Sequence, residues 1–168
     1  MFDPAEFART AVTTYITTGQ WLRVPEGTPA EWMRPAGAFV CIKIGGRLRG
    51  CVGTYLPREA SLVKEIMRNA VGSATGDPRF QPITADELDT LAFTVDVLEP
   101  PEKVTDLGEL DPEIYGVIVR AGARTGLLLP DLEGVETVGQ QITIAKQKAG
   151  IAPEEPAEIF KFRVTRYE

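Results

Sequence analysis

The chain predicts an α+β fold, with a mainly antiparallel sheet and flanking helices, and three observations carry that reading. Helical and strand-like patterns follow one another in the order α-ββ-α-α-β-ββ-α-β. Two strand pairs are joined by only a few residues, Gly45-Gly46 in one and Ala121 to Arg124 in the other, as hairpins are. Strict β-α-β alternation, the mark of a parallel sheet, is absent. The length of 168 residues fits one domain, large enough to bury roughly 70% of its unfolded surface.

Taken in order, Asp3-Pro4-Ala5-Glu6 opens a helix, with Asp3 as N-cap, Pro4 at N1 and Glu6 at N3. Phe7, Ala11 and Tyr15 recur at helical spacing, and Gly19 supplies the stop. Gln20 to Ala36 holds several prolines and both tryptophans, so it reads as an irregular connection packed down by Trp21 and Trp32. Gly37 to Ile44 and Leu48 to Gly53 then form a hairpin, because Gly45-Gly46 meets the positive φ that a two-residue type I′ turn requires.

Ser61 caps a second helix whose apolar stripe runs through Leu62, Ile66 and Ala70 with Val63, Met67 and Ala74. Lys64, Glu65 and Arg68 lie off that stripe, and Lys64 and Arg68 read as a solvated face. The helix ends at Gly76-Asp77-Pro78-Arg79-Phe80-Gln81-Pro82, where two prolines enforce a loop. Thr84 to Glu87 is a capping box for a short helix. Leu91, Phe93, Val95 and Val97 then line one face of a strand that Pro100-Pro101 stops. Asp96 in its middle is costly if buried and unremarked if it faces solvent.

An acidic, turn-rich stretch from Glu102 to Glu113 marks a smaller subdomain excursion near 102–135 within a single domain. A second hairpin, Gly116 to Arg120 with Thr125 to Pro130, follows. Thr137 and Gln140 open a third helix that closes at Gly150, and Ile159 to Tyr167 is a terminal strand.

Composition excludes several chemistries. The chain has no histidine, which removes Ser-His-Asp and Cys-His catalysis and every imidazole metal site. With two cysteines beside that absence, a tetrahedral N/S zinc centre cannot be assembled within one chain. No P-loop or dinucleotide fingerprint is present, so the sequence names no cofactor. The net charge of −6 argues against nucleic acid as a partner. No apolar run approaches the ~20 residues of a membrane span. The acidic start is not a signal peptide, and two cysteines make no disulfide framework, so the expected setting is a reducing cytoplasm.

The hairpin carries the candidate chemistry. Its second arm, Leu48-Arg49-Gly50-Cys51-Val52-Gly53, has glycines where side chains would pack, a sign of close approach by a ligand or another backbone. A symmetric register pairs Ile44 with Arg47, Ile42 with Arg49 and Val40 with Cys51. Arg49 and Cys51 then share one face, and Phe39, Cys41, Lys43, Leu48 and Val52 take the other. A cation beside the thiol favours the reactive thiolate. On that register Cys41 and Cys51 point to opposite faces and form no disulfide, unless a bulge at Gly50 shifts the parity. The bland alternative makes Cys51 a buried small hydrophobe and Arg49 a structural ion-pair partner.

The run Leu48-Arg49-Gly50-Cys51-Val52-Gly53, together with Asp77-Pro78-Arg79-Phe80, Gly126-Leu127-Leu128-Leu129-Pro130 and Lys148-Ala149-Gly150, resembles the AMMECR domain family, named for the chromosomal-region protein of an Alport-type contiguous gene syndrome. The resemblance is collinear from about Phe39 through Phe162. It implies two unequal subdomains around a cleft, no established activity, and Memo-like and radical SAM proteins as pathway partners. Relatives often carry a cysteine just before the late Lys-Ala-Gly, where this chain has Lys146-Gln147.

Two function classes follow. In the first, Cys51 is a nucleophile or redox-active thiol and Asp77 orients an arginine or moves a proton. Arg49, Gly50, Gly53 and Arg79 then bind a small anionic or acyl-type group in a concavity. In the second, the same surface is a non-catalytic module that presents itself to a protein partner. The second helix is expected to pack on Phe39, Leu48 and Val52, leaving Arg49 and Cys51 directed away from it.

Overall fold

The computed structural model describes residues 1–168. In chain order its elements are α1 (Pro4–Thr18), β1 (Ala38–Ile44), β2 (Arg47–Thr54), α2 (Leu62–Thr75), β3 (Leu91–Leu98), β4 (Glu102–Lys103), β5 (Gly116–Ala121), β6 (Arg124–Leu128), α3 (Val138–Ala149), β7 (Glu158–Phe162) and β8 (Val164–Tyr167). Short 3₁₀ turns at Ala30–Trp32, Ala85–Thr90 and Leu107–Glu109 fill the connections. The strands form two four-stranded sheets, in the orders β2-β1-β3-β8 and β4-β7-β5-β6. The fold is α+β, and the pairings of β1 with β2 and β3, and of β5 with β6 and β7, are antiparallel. No helix is long and apolar enough to cross a membrane.

The chain divides into two compact units, Met1–Leu98 with Thr165–Glu168, and Glu99–Val164. In the first, α1 and α2 cover one face of the sheet. Ala8 and Val12 of α1, Val63, Ile66 and Ala70 of α2, and Val40, Ile42 and Val95 beneath them form a dry core. The capping signals act as their chemistry requires. Asp3 accepts the Ala5 and Glu6 N–H groups at 3.0 Å, and Gly19 closes α1 at φ 72°. Gly45 and Gly46 turn at φ 55° and 78°.

The second unit packs α3 on β5 and β6 around Val117, Val119, Leu128, Ala145 and Ile151. Thr137 and Gln140 form the capping box of α3, and Gly150 ends it at φ 67°.

Four expectations are corrected. The terminal strand is two strands: β7 lies in the second sheet beside β5, β8 beside β3 in the first, and Arg163 separates them. Trp32 is buried, but Trp21 keeps 52% of its surface and rests against the Tyr15 ring of α1, outside the core. Glu65, placed off the apolar stripe, is fully buried. Its carboxylate accepts the Arg58 and Glu59 N–H groups at 2.8 and 2.7 Å and the Thr54 hydroxyl.

The fourth correction is the register of the first hairpin. Ile44 faces Arg47 and Lys43 faces Leu48, but Ile42 faces Gly50, Cys41 faces Cys51 and Val40 faces Val52. Arg49 is the extra residue of a β-bulge, and every position after it moves to the other face of the sheet. Helix α2 therefore packs over Ala38, Val40 and Ile42, not over Phe39 and Leu48. Cys41 and Cys51 come to share the opposite face.

Candidate functional site

The parity shift has a direct chemical result: Cys41 and Cys51 are joined by a disulfide, and no free cysteine remains. The expectation of two unpaired thiols fails because the symmetric register omitted the bulge. The two residues are direct cross-strand partners with Cα atoms 4.2 Å apart, the close spacing of a pair that exchanges no ladder hydrogen bonds. Both are half-buried and lie outside the dry core.

The main-chain groups of Cys51 confirm that pair type, because both are taken on the side away from β1. β2 is an edge strand, and an edge leaves N–H and C=O groups without a partner. Here Asp77 accepts the Cys51 N–H at 2.9 Å, and Arg79 Nη2 donates to the Cys51 carbonyl at 3.3 Å. The two side chains are themselves bonded twice, Arg79 Nε to Oδ1 at 3.0 Å and Nη2 to Oδ2 at 2.7 Å. One ion pair thus supplies the acceptor and donor that a neighbouring strand would supply.

The sharp loop after α2 makes this geometry. Asp77 also accepts the Arg79 N–H at 3.0 Å, an Asx turn across Pro78. Asp77 is buried, while the Arg79 side chain is 55% exposed and its guanidinium rests 5.5 Å from the centre of the Phe80 ring. The Arg79 hydrogen bonds hold the Asp77 carboxyl well below the usual carboxylate range, assisted by the backbone donors and opposed by burial. The same pairing raises Arg79 above the ordinary arginine value.

Arg49 serves another purpose. From its bulge position it grips Glu87 through two bonds, Nε to Oε1 at 2.8 Å and Nη2 to Oε2 at 3.1 Å, and donates to the Gln81 carbonyl at 2.8 Å. Glu87 falls to about 2, chiefly through Arg49 and then through the Thr84 N–H. Arg49 therefore ties the loop after α2 to the bulge. Its guanidinium already holds a carboxylate and a carbonyl.

Gly50 and Gly53 are sites of close approach, by parts of the protein itself. A Cβ on Gly50 would overlap the Ser73 carbonyl oxygen of α2, and one on Gly53 would overlap the Phe39 ring. The same device recurs in the second unit, where a Cβ on Gly126 would meet the Ala145 carbonyl of α3.

The sequence reading missed a polar series on α2. Glu65, Asn69 and Ser73 are all buried, and with Asp77 they fall at a spacing of four along the chain. Each bonds the hairpin in turn. Glu65 accepts from the Thr54 hydroxyl, and Asn69 Nδ2 donates to that hydroxyl at 3.3 Å and to Ala38 O at 2.9 Å. Ser73 Oγ accepts the Val52 N–H at 2.8 Å and donates to Val40 O at 2.7 Å, so a hydroxyl stands inside the β1–β2 ladder. Asp77 then takes Cys51. Three polar residues at i, i+4 and i+8 on a helix face that also holds Ile66 and Ala70 were the available signal.

The fold is of the α+β class, two antiparallel sheets with helices, and its distinguishing feature is an edge strand whose cysteine is held by an acid–arginine pair. The chain belongs to the AMMECR1 family, whose model matches residues 5–168. A Thermotoga maritima protein is 50% identical over 166 residues, covering 97% of this chain and 95% of its own. A Clostridium acetobutylicum protein is 46% identical over 99% of this chain, which spans only 36% of that longer relative. The crystal structure of an uncharacterized Pyrococcus horikoshii protein superposes with a TM-score of 0.90 at 31% identity, covering 97% of this chain and 88% of the other.

Proposed function

We propose that Cys51 is the chemical centre of this chain, a thiol that works on a small anionic or acyl-type group once the Cys41–Cys51 disulfide is reduced. The observation that carries this reading is the treatment of Cys51 itself. Both its backbone groups are fixed by Asp77 and Arg79 at a strand edge, while the residue stays half-buried. A core cysteine needs neither. Arg79, more than half exposed, is the cation that would meet the anionic group and favour the thiolate. Asp77 is the residue that orients Arg79. Gly50 and Gly53 would hold the strand in place, and Arg49 would brace the loop through Glu87.

The setting proposed is the cytoplasm, whose reducing poise frees the thiol. The pathway partners proposed are Memo-like and radical SAM proteins. The test is alkylation of the reduced protein across pH. Cys51 should react with an apparent pKa well under the ~8.5 of a free thiol, and Arg79→Ala should move it back. A rate and pH profile matching a free thiol would overturn the catalytic reading.

A second reading, a non-catalytic binding module, draws on the commitment of Arg49 to Glu87 and of Asp77 to Arg79. Charges already neutralised within the protein make a rigid surface. An unreactive Cys51 with an unchanged fold is the outcome that favours it.

A further inference from the structure

We infer that Cys41 and Cys51 are the two halves of a thiol–disulfide exchange couple, and that the chain passes two electrons to a small anionic disulfide. The inference rests on the proposed reactivity of Cys51 and adds the resolving thiol, the substrate class and the stoichiometry. Three observations carry it.

The first is that the pair is preassembled. Cys41 and Cys51 are direct cross-strand partners with Cα atoms 4.2 Å apart, so strand pairing itself sets the two sulfurs side by side. The second is that the hairpin is held without the disulfide. The Gly45-Gly46 turn and the Ser73 hydroxyl between Val40 and Val52 hold β2 on β1, and the Asp77–Arg79 pair holds Cys51 to the loop after α2. The crosslink joins residues ten apart in sequence that the turn already brings together. The third is position. Neither cysteine belongs to the core, and an exposed guanidinium is bonded to the Cys51 carbonyl.

The steps balance. In the reduced protein the Cys51 thiolate attacks one sulfur of a substrate RS–SR, forming a Cys51–SR mixed disulfide and expelling one RS⁻. Cys41 then gives up its proton, and its thiolate attacks the Cys51 sulfur, closing Cys41–Cys51 and expelling the second RS⁻. The substrate is reduced by two electrons and leaves as two thiols. The protein is oxidised by two, and two equivalents of a reducing thiol, or one dithiol, must reopen the disulfide and leave as a disulfide themselves. Arg79 selects for an anionic R group, since it is the cation held at the attacking residue.

The experiment uses the full chain, reduced and freed of reductant, with oxidised glutathione as the anionic disulfide and cystamine as a cationic one, read by intact mass. The wild type should consume one equivalent of oxidised glutathione, release two thiols and retain no adduct. Cys41→Ser should stop at a stable mixed disulfide on Cys51, and Cys51→Ser should react at least tenfold more slowly. Arg79→Ala should lose most of the preference for glutathione over cystamine. An adduct retained by the wild type while Cys51 still alkylates rapidly would overturn the exchange couple and leave the reactive-thiol reading intact. A Cys51 that neither alkylates nor exchanges would overturn both. Equal rates for Cys41→Ser and Cys51→Ser would remove the assignment of Cys51 as the attacking residue.

Discussion

The carboxylate of Asp77 accepts the backbone N–H of Cys51 at 2.9 Å across 26 positions of sequence. Since Asp77 is buried and bonded twice to Arg79, it connects an exposed guanidinium to the main chain of the cysteine. Asp77→Ala leaves that N–H without its acceptor and Arg79 without its partner. The expected loss is about 2–3 kcal/mol in chemical denaturation. Arg79→Ala should cost about 2 kcal/mol, because it leaves the buried Asp77 carboxylate with its backbone donors but without its countercharge. A double-mutant cycle that found the two losses simply additive would show that the pair does not act as one unit.

Gly50→Ala tests how tightly α2 sits on β2. The sequence marks that glycine as a place of close approach by a ligand or another backbone. The space beside it is filled by the Ser73 backbone, which cannot rotate away as a side chain could. The expected loss is about 2–3 kcal/mol, measured by urea denaturation. A variant as stable as wild type would show that α2 moves freely over the hairpin.

Reduction of Cys41–Cys51 should leave the protein folded but less stable. The crosslinked residues are ten apart, which corresponds to about 3 kcal/mol through the unfolded state. In a chain of this size that is a fall in Tm of about 5–10 °C. Scanning calorimetry with and without reductant measures it. Loss of the folding transition on reduction would mean that the disulfide, and not the bonds from Ser73 and Asp77, holds the hairpin.

Acid should find the Arg49–Glu87 contact in a defined window. Glu87 is lowered from 4.5 to about 2 by Arg49, so the unfolded chain binds the proton first. The stabilisation is whole above pH 4.5 and is lost as pH falls toward 2. Glu87→Gln should lower stability at neutral pH and flatten its pH dependence across that window. Parallel curves for the variant and wild type would remove Glu87 as a source of acid sensitivity.

What the sequence revealed and what it hid divide along one physical line. Asp3, Gly19, Gly45-Gly46, Thr137 with Gln140, and Gly150 signal through bonds to residues within a turn of themselves, and each did what its spacing announced. Gly50 marked the place where a bulge could fall, but the partner of Arg49, Glu87, lies 38 positions away, and nothing local decides whether the extra residue is there. That one extra residue decided whether the cysteines meet. Asp77 and Arg79 were found as a pair because Pro78 forces the turn that joins them. Their hold on the Cys51 backbone was not legible, since it requires knowing that β2 is an edge. The break at Arg163 was hidden for a similar reason, because each half of the run alternates well enough to be one strand.

The polar series on α2 makes a helix act as a ruler laid along a strand. Four helical residues advance about 6 Å, and two strand residues advance about 6.6 Å, so the two scales nearly coincide. Glu65 and Asn69 meet Thr54, and Ser73 meets Val52. The step from Asn69 to Ser73 keeps both scales, and Glu65 reaches the same Thr54 hydroxyl from one turn earlier. By the fourth mark the helix has already ended at Thr75, and Asp77 reaches Cys51 from the loop beyond it. An insertion or deletion of one residue between Glu65 and Asp77 would throw every later mark out of phase. The length of that segment is therefore as much a part of the cysteine's environment as any side chain that touches it.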